Sequence, residues 1–270
     1  MNAILRKIKL ASNTKLPVFV VVLNIFLSGC VHEPVEGRLT PEQTAARLEK
    51  SARIHTELAA EYYYRGQYKV AMEEIVAALD SNPNYAPAFS VLGLINMALG
   101  EDDKAQSNFN RALKIDPKNS ELHNNYGWFL CERYPDQIDK AINHFMTALK
   151  DPLYETHHVA YANAGICELK RKNFSEASLY FNESLSLQPN YRPALVGLIE
   201  MDFNSGNNAL AQSKLSDFMQ KYQPTARSLW LGIQIEQKAG NTRAANSYLF
   251  QLQKNFPNSR ETRALREGGL

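Results

Sequence analysis

The 270-residue chain has little of several things, and each shortage excludes a class of protein. Three cysteines are too few to build a disulfide scaffold, so folding must rest on a packed apolar core. Neither sign of charge dominates: 30 Lys and Arg face 28 Asp and Glu, which argues against a nucleic-acid binder working by phosphate neutralisation. No apolar run reaches the roughly 20 residues of a membrane-spanning helix. The enzymatic signatures G-x-S-x-G, H-E-x-x-H and G-x-x-x-x-G-K-[ST] are missing, which points away from an enzyme, a cofactor and a small-molecule substrate. What is present is 44% hydrophobic residues with 13 Tyr and 12 Phe, a composition that rules out disorder as the main state.

The first 29 residues lack something too: they hold Arg6, Lys7, Lys9 and Lys15 and no acid. The apolar stretch Leu16–Leu27 follows, then Leu27-Ser28-Gly29-Cys30. This is the order of a secretory leader ending in a bacterial lipobox, with cleavage before Cys30 and a diacylglycerol on its thiol. Each buried methylene contributes about 0.8 kcal/mol, so two or three acyl chains give a stable membrane anchor. Position 31 is valine and not the aspartate that in many Gram-negative bacteria marks retention in the inner membrane, so the expected location is the periplasmic face of the outer membrane. Removing the four leader cations leaves 26 basic against 28 acidic residues, and the mature charge is near −2.

Residues 30–39 carry Pro and Gly without an apolar period and read as a tether. Thr40-Pro41-Glu42-Gln43 then has the form of an N-cap, a first-turn proline and a capping-box glutamine, so a helix is expected from Pro41. Beyond it a grammar repeats. Ala71, Ala105, Ala141, Ala177, Ala211 and Ala245 are spaced 34, 36, 36, 34 and 34 residues apart. Four residues after each stands Ile75, Phe109, Phe145, Phe181, Leu215 or Leu249, and seven after each stands Ala78, Ala112, Ala148, Ser184, Phe218 or Leu252. Pro83, Pro117, Pro152, Pro189, Pro224 and Pro257 close the units, because proline lacks the N–H that would continue a helix.

The i, i+4, i+7 spacing is one stripe of a helix, and a period near 34 resembles the tetratricopeptide repeat, two antiparallel helices with a small residue at their crossing. The second unit matches it best through Phe89, Leu92-Gly93, Ala105, Phe109, Ala112 and Pro117. The third carries two extra residues around Tyr134-Pro135-Asp136, the fourth starts after a longer loop near His157-His158, and the fifth and sixth lose the glycine. The implied fold is all-α: a right-handed superhelix of six repeats over residues 40–259, with units at about 52–85, 86–119, 120–157, 158–191, 192–225 and 226–259 and a tail at 260–270.

In such a superhelix the first helices of the units line a groove that holds another polypeptide. Taking the second, fifth, ninth, twelfth and thirteenth places as inward gives a mainly aromatic and aliphatic lining: Tyr63, Tyr64, Leu94, Met97, Trp128, Phe203 and Trp230, with Asn124, Ile166, Leu169 and Glu200. The Lys, Asn and Arg set with which some relatives clamp a chain-terminal carboxylate is not at these places. Cys131 and Cys167 fall in the first helices of adjacent units, where they either pair in an oxidising compartment or remain two buried thiols. His157-His158 has no Cys or carboxylate at metal spacing and reads as part of a solvated loop.

A lipobox, a short tether and six repeats resemble the type IV pilus pilotin lipoproteins of the PilF/PilW family. Asn124-Asn125-Tyr126-Gly127-Trp128-Phe129-Leu130, Asp151-Pro152-Leu153-Tyr154 and Ala226-Arg227-Ser228-Leu229-Trp230-Leu231-Gly232-Ile233 look like that family's stretches. The resemblance implies a scaffold that brings pilus secretin subunits to the outer membrane and promotes their multimerisation, for pilus assembly and twitching motility. Its first units would make the contact, through Tyr63, Tyr64, Leu94 and Met97. The alternative function for the same groove and anchor is a periplasmic adaptor that docks cell-wall hydrolases or proteases.

Overall fold

A proline just past the end of every second helix divides the chain into hairpins of two helices. The computed structural model describes residues 39–268; the leader, the lipidation position Cys30 and the tether as far as residue 38 lie outside them. A first helix, α1 (Pro41–Tyr64), begins at the expected proline and pairs with α2 (Tyr68–Ser81). Five further pairs follow: α3 (Ala86–Ala98) with α4 (Asp102–Ile115), α5 (Ser120–Arg133) with α6 (Ile138–Ala148), and α7 (His157–Lys170) with α8 (Phe174–Leu187), then α9 (Arg192–Asn204) with α10 (Asn208–Lys221), and α11 (Ala226–Lys238) with α12 (Thr242–Asn255). A last short helix, α13, spans Arg260–Arg266, and the described residues contain no strand. All six unit-closing prolines lie just beyond the second helices.

Packing between units is asymmetric. Each odd-numbered helix touches the next odd one along the chain, whereas each even-numbered helix touches only the odd helices beside it. The odd helices therefore form the tighter, concave layer and the even ones the convex layer of a repeat superhelix.

The alanine stripe explains how each pair closes. Ala71, Ala105, Ala141, Ala177 and Ala211 have no exposed surface and Ala245 has 3%, so a methyl group fills each crossing. The residues four and seven places later are buried as well, except the half-buried Leu249. Opposite the +4 side chain, the first helix supplies a partner of complementary size. In units two to four it is a glycine: a Cβ built on Gly93, Gly127 or Gly165 would stand 2.8, 2.9 or 2.7 Å from the rings of Phe109, Phe145 or Phe181. In unit one Ala59 shares the core with Ile75. In units five and six, where Ile199 and Ile233 replace the glycine, the +4 residues are the smaller Leu215 and Leu249. The Gly–Phe and Ala–Ile pairs of units one to four are close in volume, as a close-packed interior favours, whereas the Ile–Leu pairs of units five and six are bulkier.

Four expectations change in detail. The two extra residues of unit three form a 3-10 turn, Pro135–Gln137, between α5 and α6. His157 and His158 are not in a loop; they open α7, where their rings pack on Tyr154 and Tyr191 at 5.4 and 4.7 Å. Units five and six are not without glycine: Gly197 meets Phe181 of the preceding unit and Gly232 meets Tyr248, each shifted along its helix. Residues 260–266 are not a tail, because Ser259 accepts from the Thr262 backbone N–H and starts α13, which packs on α11 and α12 in the place of a seventh first helix.

The turns inside five of the six units rest on left-handed residues, with Gly100 at φ 79° between α3 and α4 and Lys172, a residue with a Cβ, at φ 62° between α7 and α8. Beside Lys172 the buried carboxylate of Glu168 takes two hydrogen bonds of 2.6 Å from Arg171 and one of 2.9 Å from Asn173, which fix the turn around the strained residue. Cys131 of α5 and Cys167 of α7 are joined as a disulfide with their Cα atoms 5.8 Å apart. It closes a segment of 36 residues, for which the loss of unfolded-chain entropy stabilises the fold by about 4 kcal/mol.

Unit three also holds a histidine pair. His123 and His144 share a hydrogen bond of 2.8 Å between their Nδ1 atoms, and His123 Nε2 lies 3.1 Å from the Pro117 carbonyl. A carbonyl only accepts, so His123 carries its proton on Nε2 and His144 is the donor between the rings. Burial, then the neighbouring His123 and Lys140, push His144 down to about 4.

Two outcomes follow from this packing. Phe181 is wedged between Gly165 and Gly197, and a Cβ on Gly197 would come within 2.3 Å of its ring. Gly197→Ala should destabilise the protein by about 2 kcal/mol in urea unfolding, an overpacking cost of about 3 kcal/mol exceeding the roughly 1 kcal/mol that alanine gains over glycine in a helix. Unchanged stability would contradict the wedge. Because the unfolded His144 takes up a proton near 6.5 and the folded one only near 4, stability should fall as pH drops through that window. Denaturation midpoints measured across it should decline less in His144→Gln.

Candidate functional site

Two regions of the concave layer form cavities. The first, about 280 Å³, lies among α1, α3 and α5. Its walls include Tyr63, Tyr64, Tyr85, Val91, Leu94 and Leu122. Tyr63 is packed on the core beneath, edge-on to Tyr64 at 5.4 Å and tilted against Tyr68 at 6.0 Å. Burial, then Tyr68 and Tyr64, push the Tyr63 hydroxyl up to about 12, so it stays protonated. Tyr64 is 76% exposed, an aromatic ring held at the lip with no core role. Large aromatics at an open apolar site are the usual anchors of a protein contact.

The second cavity is larger, about 450 Å³, and lies among α5, α7, α9, α11 and α13. Trp128, Ile166, Pro193 and Val196 give it an apolar wall. Around that wall stand charges. Glu132, with 9% of its side chain exposed, takes a hydrogen bond from Lys170 of α7 and one of 2.6 Å from Arg260 of α13, 128 residues away. Burial alone would raise the Glu132 carboxyl, but Lys170 and Arg260 outweigh it and hold the group below its ordinary range. Burial pulls Lys170 below its ordinary value despite Glu132. Arg227 grips Glu200 through Nη2 at 2.6 Å and Nε at 3.1 Å. The disulfide at Cys131 is adjacent in sequence to Glu132, so the staple between α5 and α7 also fixes the floor from which Glu132 and Lys170 project.

The expected lining residues divide. Tyr63, Tyr64 and Leu94 border the first cavity and Trp128 the second. Ile166 borders the second, and Leu169 an adjoining one. Met97 is corrected to a core residue: it is 8% exposed and, with the 7% exposed Leu94, packs among Phe109, Phe129 and Leu130 where α3 meets α5. Phe203 packs on the α9–α11 core with Leu215 and Phe218, and Trp230 on the α11–α12 core with Leu229 and Leu252, and neither lines the first or the second cavity. Asn124 is buried and accepts from Asn163 Nδ2 at 3.0 Å.

Sequence reasoning placed Glu200 in the lining but missed the other charged residues of the second cavity. The signal was available, since Glu132 and Lys170 occupy the thirteenth place of their units and Arg227 the second, places already taken as inward. Favouring apolar side chains at those places passed them over. Arg260 had no such signal, because α13 was not expected. Among the described residues no group of three or more His, Cys, Asp or Glu could hold a metal ion, and no helix is long and apolar enough to cross a membrane.

Comparison with known proteins agrees with this geometry. Tetratricopeptide repeat models match residues 86–119 and 108–150. The type IV pilus assembly protein PilF of Pseudomonas aeruginosa is 28% identical over 242 residues, covering 90% of this chain and 94% of that protein. The crystal structure of P. aeruginosa PilF superposes with a TM-score of 0.58 at 26% identity, over 82% of this chain and 99% of that one. That of PilW, described as a widely conserved type IV pilus biogenesis factor, gives 0.62 at 37% identity, over 79% of this chain and 97% of PilW. A likeness of that extent, on a superhelix of the same repeats, makes this chain a member of the PilF/PilW family of type IV pilus biogenesis proteins.

Proposed function

We propose that this protein is a pilotin: an outer-membrane lipoprotein that binds subunits of the type IV pilus secretin and promotes their multimerisation. The observation that carries the reading is the 37% identity with PilW over nearly all of that chain, on a fold whose concave face offers cavities and exposed aromatics for a polypeptide. Such a scaffold acts by binding and not by bond chemistry. Acyl chains on Cys30 would hold it at the periplasmic face of the outer membrane. The Tyr63–Tyr64 cavity would hold a secretin segment there, and concentrating subunits at one surface raises the rate at which they meet.

The reading has two separable tests. Tyr64→Asp alters an exposed ring and should leave a folded, membrane-bound protein with several-fold fewer secretin multimers on semi-denaturing gels, as expected when an aromatic anchor worth about 2 kcal/mol is lost. Cys30→Ser should release the protein from the outer-membrane fraction and reduce multimers there. Normal multimer levels in the Tyr64→Asp strain would refute the assigned contact, and normal outer-membrane retention of Cys30→Ser would refute the anchor.

A further inference from the structure

The second cavity of the concave layer is chemically unlike the first, and it does not end at its charges. An adjoining cavity of about 360 Å³ continues past them, with Leu169 and Phe174 in its wall. The two share Ile166, Lys170, Glu200 and Arg227, so a junction with two cations and one carboxylate separates the mainly apolar larger cavity from a mixed one in which Lys172 and Asn204 stand beside Leu169 and Phe174. On one side of the junction lie Trp128 and Val196, on the other Leu169 and Phe174.

The hydrogen-bonding capacity left over at this junction is on the cations. Glu200 already takes both of its oxygens' bonds from Arg227, and Glu132 is held by Lys170 and Arg260 together. Arg227 keeps Nη1 unused. Arg192, which also borders the larger cavity, is exposed and has no hydrogen bond or ion pair among the described residues. The side chain of Arg260 is 71% exposed and can leave Glu132 to Lys170 without stranding a charge. Glu261 is the remaining carboxylate; like Arg192 and Arg260, it borders the larger cavity but not the junction.

We propose that this half of the groove is a second binding site, for a polypeptide segment in which an acidic side chain is flanked on both sides by bulky apolar ones. The carboxylate meets Arg227 at the junction, with Arg192 and Arg260 reaching it from the larger cavity, and the apolar side chains enter on either side. Because apolar surface continues beyond the cations in both directions, the acid belongs to the interior of a segment and not to a chain end. Charge-assisted hydrogen bonds from arginine make such a carboxylate the selective element, while the pockets supply contact area.

Fluorescence anisotropy with the lipidated full chain in detergent tests this. The probes are short labelled peptides with a leucine–glutamate–leucine core, the same peptide with glutamine, and one that ends in a free carboxylate at that position. The glutamate peptide should bind about tenfold tighter than the glutamine peptide, the discrimination expected of one charged hydrogen-bonded contact. The double variant Arg192→Gln, Arg260→Gln, altering two exposed side chains, should remove most of that preference and leave binding of the glutamine peptide unchanged. Tyr64→Asp should bind all three as the parent does. Equal or undetectable binding of the glutamate and glutamine peptides would overturn the proposal. So would a preference that survives in the double variant, tighter binding of the chain-end carboxylate, or loss of the preference in Tyr64→Asp.

Discussion

Where the two helices of a unit cross, a fully buried alanine on the second helix lets the backbones approach, and a residue of matched volume on the first helix faces the bulky side chain one turn further on. Gly with Phe and Ala with Ile are two solutions to nearly one volume, and the bulkier Ile with Leu takes that place in units five and six. The rest of the molecule inherits this distance. If one crossing widened, the next first helix would no longer meet its neighbour, and the concave layer that holds both cavities would open. Phe181 carries the constraint from unit to unit, since its ring is pressed by Gly165 of its own unit and by Gly197 of the following one.

The concave layer is further tied by groups that lie outside the repeat pattern. The disulfide links α5 to α7, Arg260 reaches from α13 back to Glu132 of α5, and Arg227 of α11 holds Glu200 of α9. These ties concentrate in the half of the chain after unit two, and the more open aromatic surface lies before it. The two proposed contacts divide by region: aromatic contact area near the N-terminal end, and selection of a carboxylate toward the C-terminal end. Both fit membership of a family of pilus biogenesis proteins built from tetratricopeptide repeats.

Much of this was legible in the residues. The alanine period, the +4 and +7 stripe and the closing prolines mark twelve helices, because helix crossing and helix termination each demand a particular residue type. The inward register was legible as well, and it falls on Trp128, Ile166, Glu132, Lys170 and Arg227 alike. The depth of each place was not. Leu94 and Met97 stand at inward places yet are buried, because neighbouring first helices pack on each other and consume part of the inner face. Phe203 packs toward the α9–α11 core for the same reason, and Trp230 packs on the α11–α12 core of its own unit. Helix α13 is too short to show a period, and its ion pair with Glu132 spans 128 residues, a separation that no local pattern encodes.

The central claim is that the N-terminal half of the concave face holds the pilus secretin. A photo-crosslinking residue placed at Tyr64 in intact cells, with the convex, 54% exposed Val76 as the control position, tests it most directly. The account predicts that mass spectrometry recovers a secretin peptide joined at position 64 and none at position 76. A secretin crosslink from position 76 alone, or a different protein captured at 64 with no secretin peptide, would contradict it.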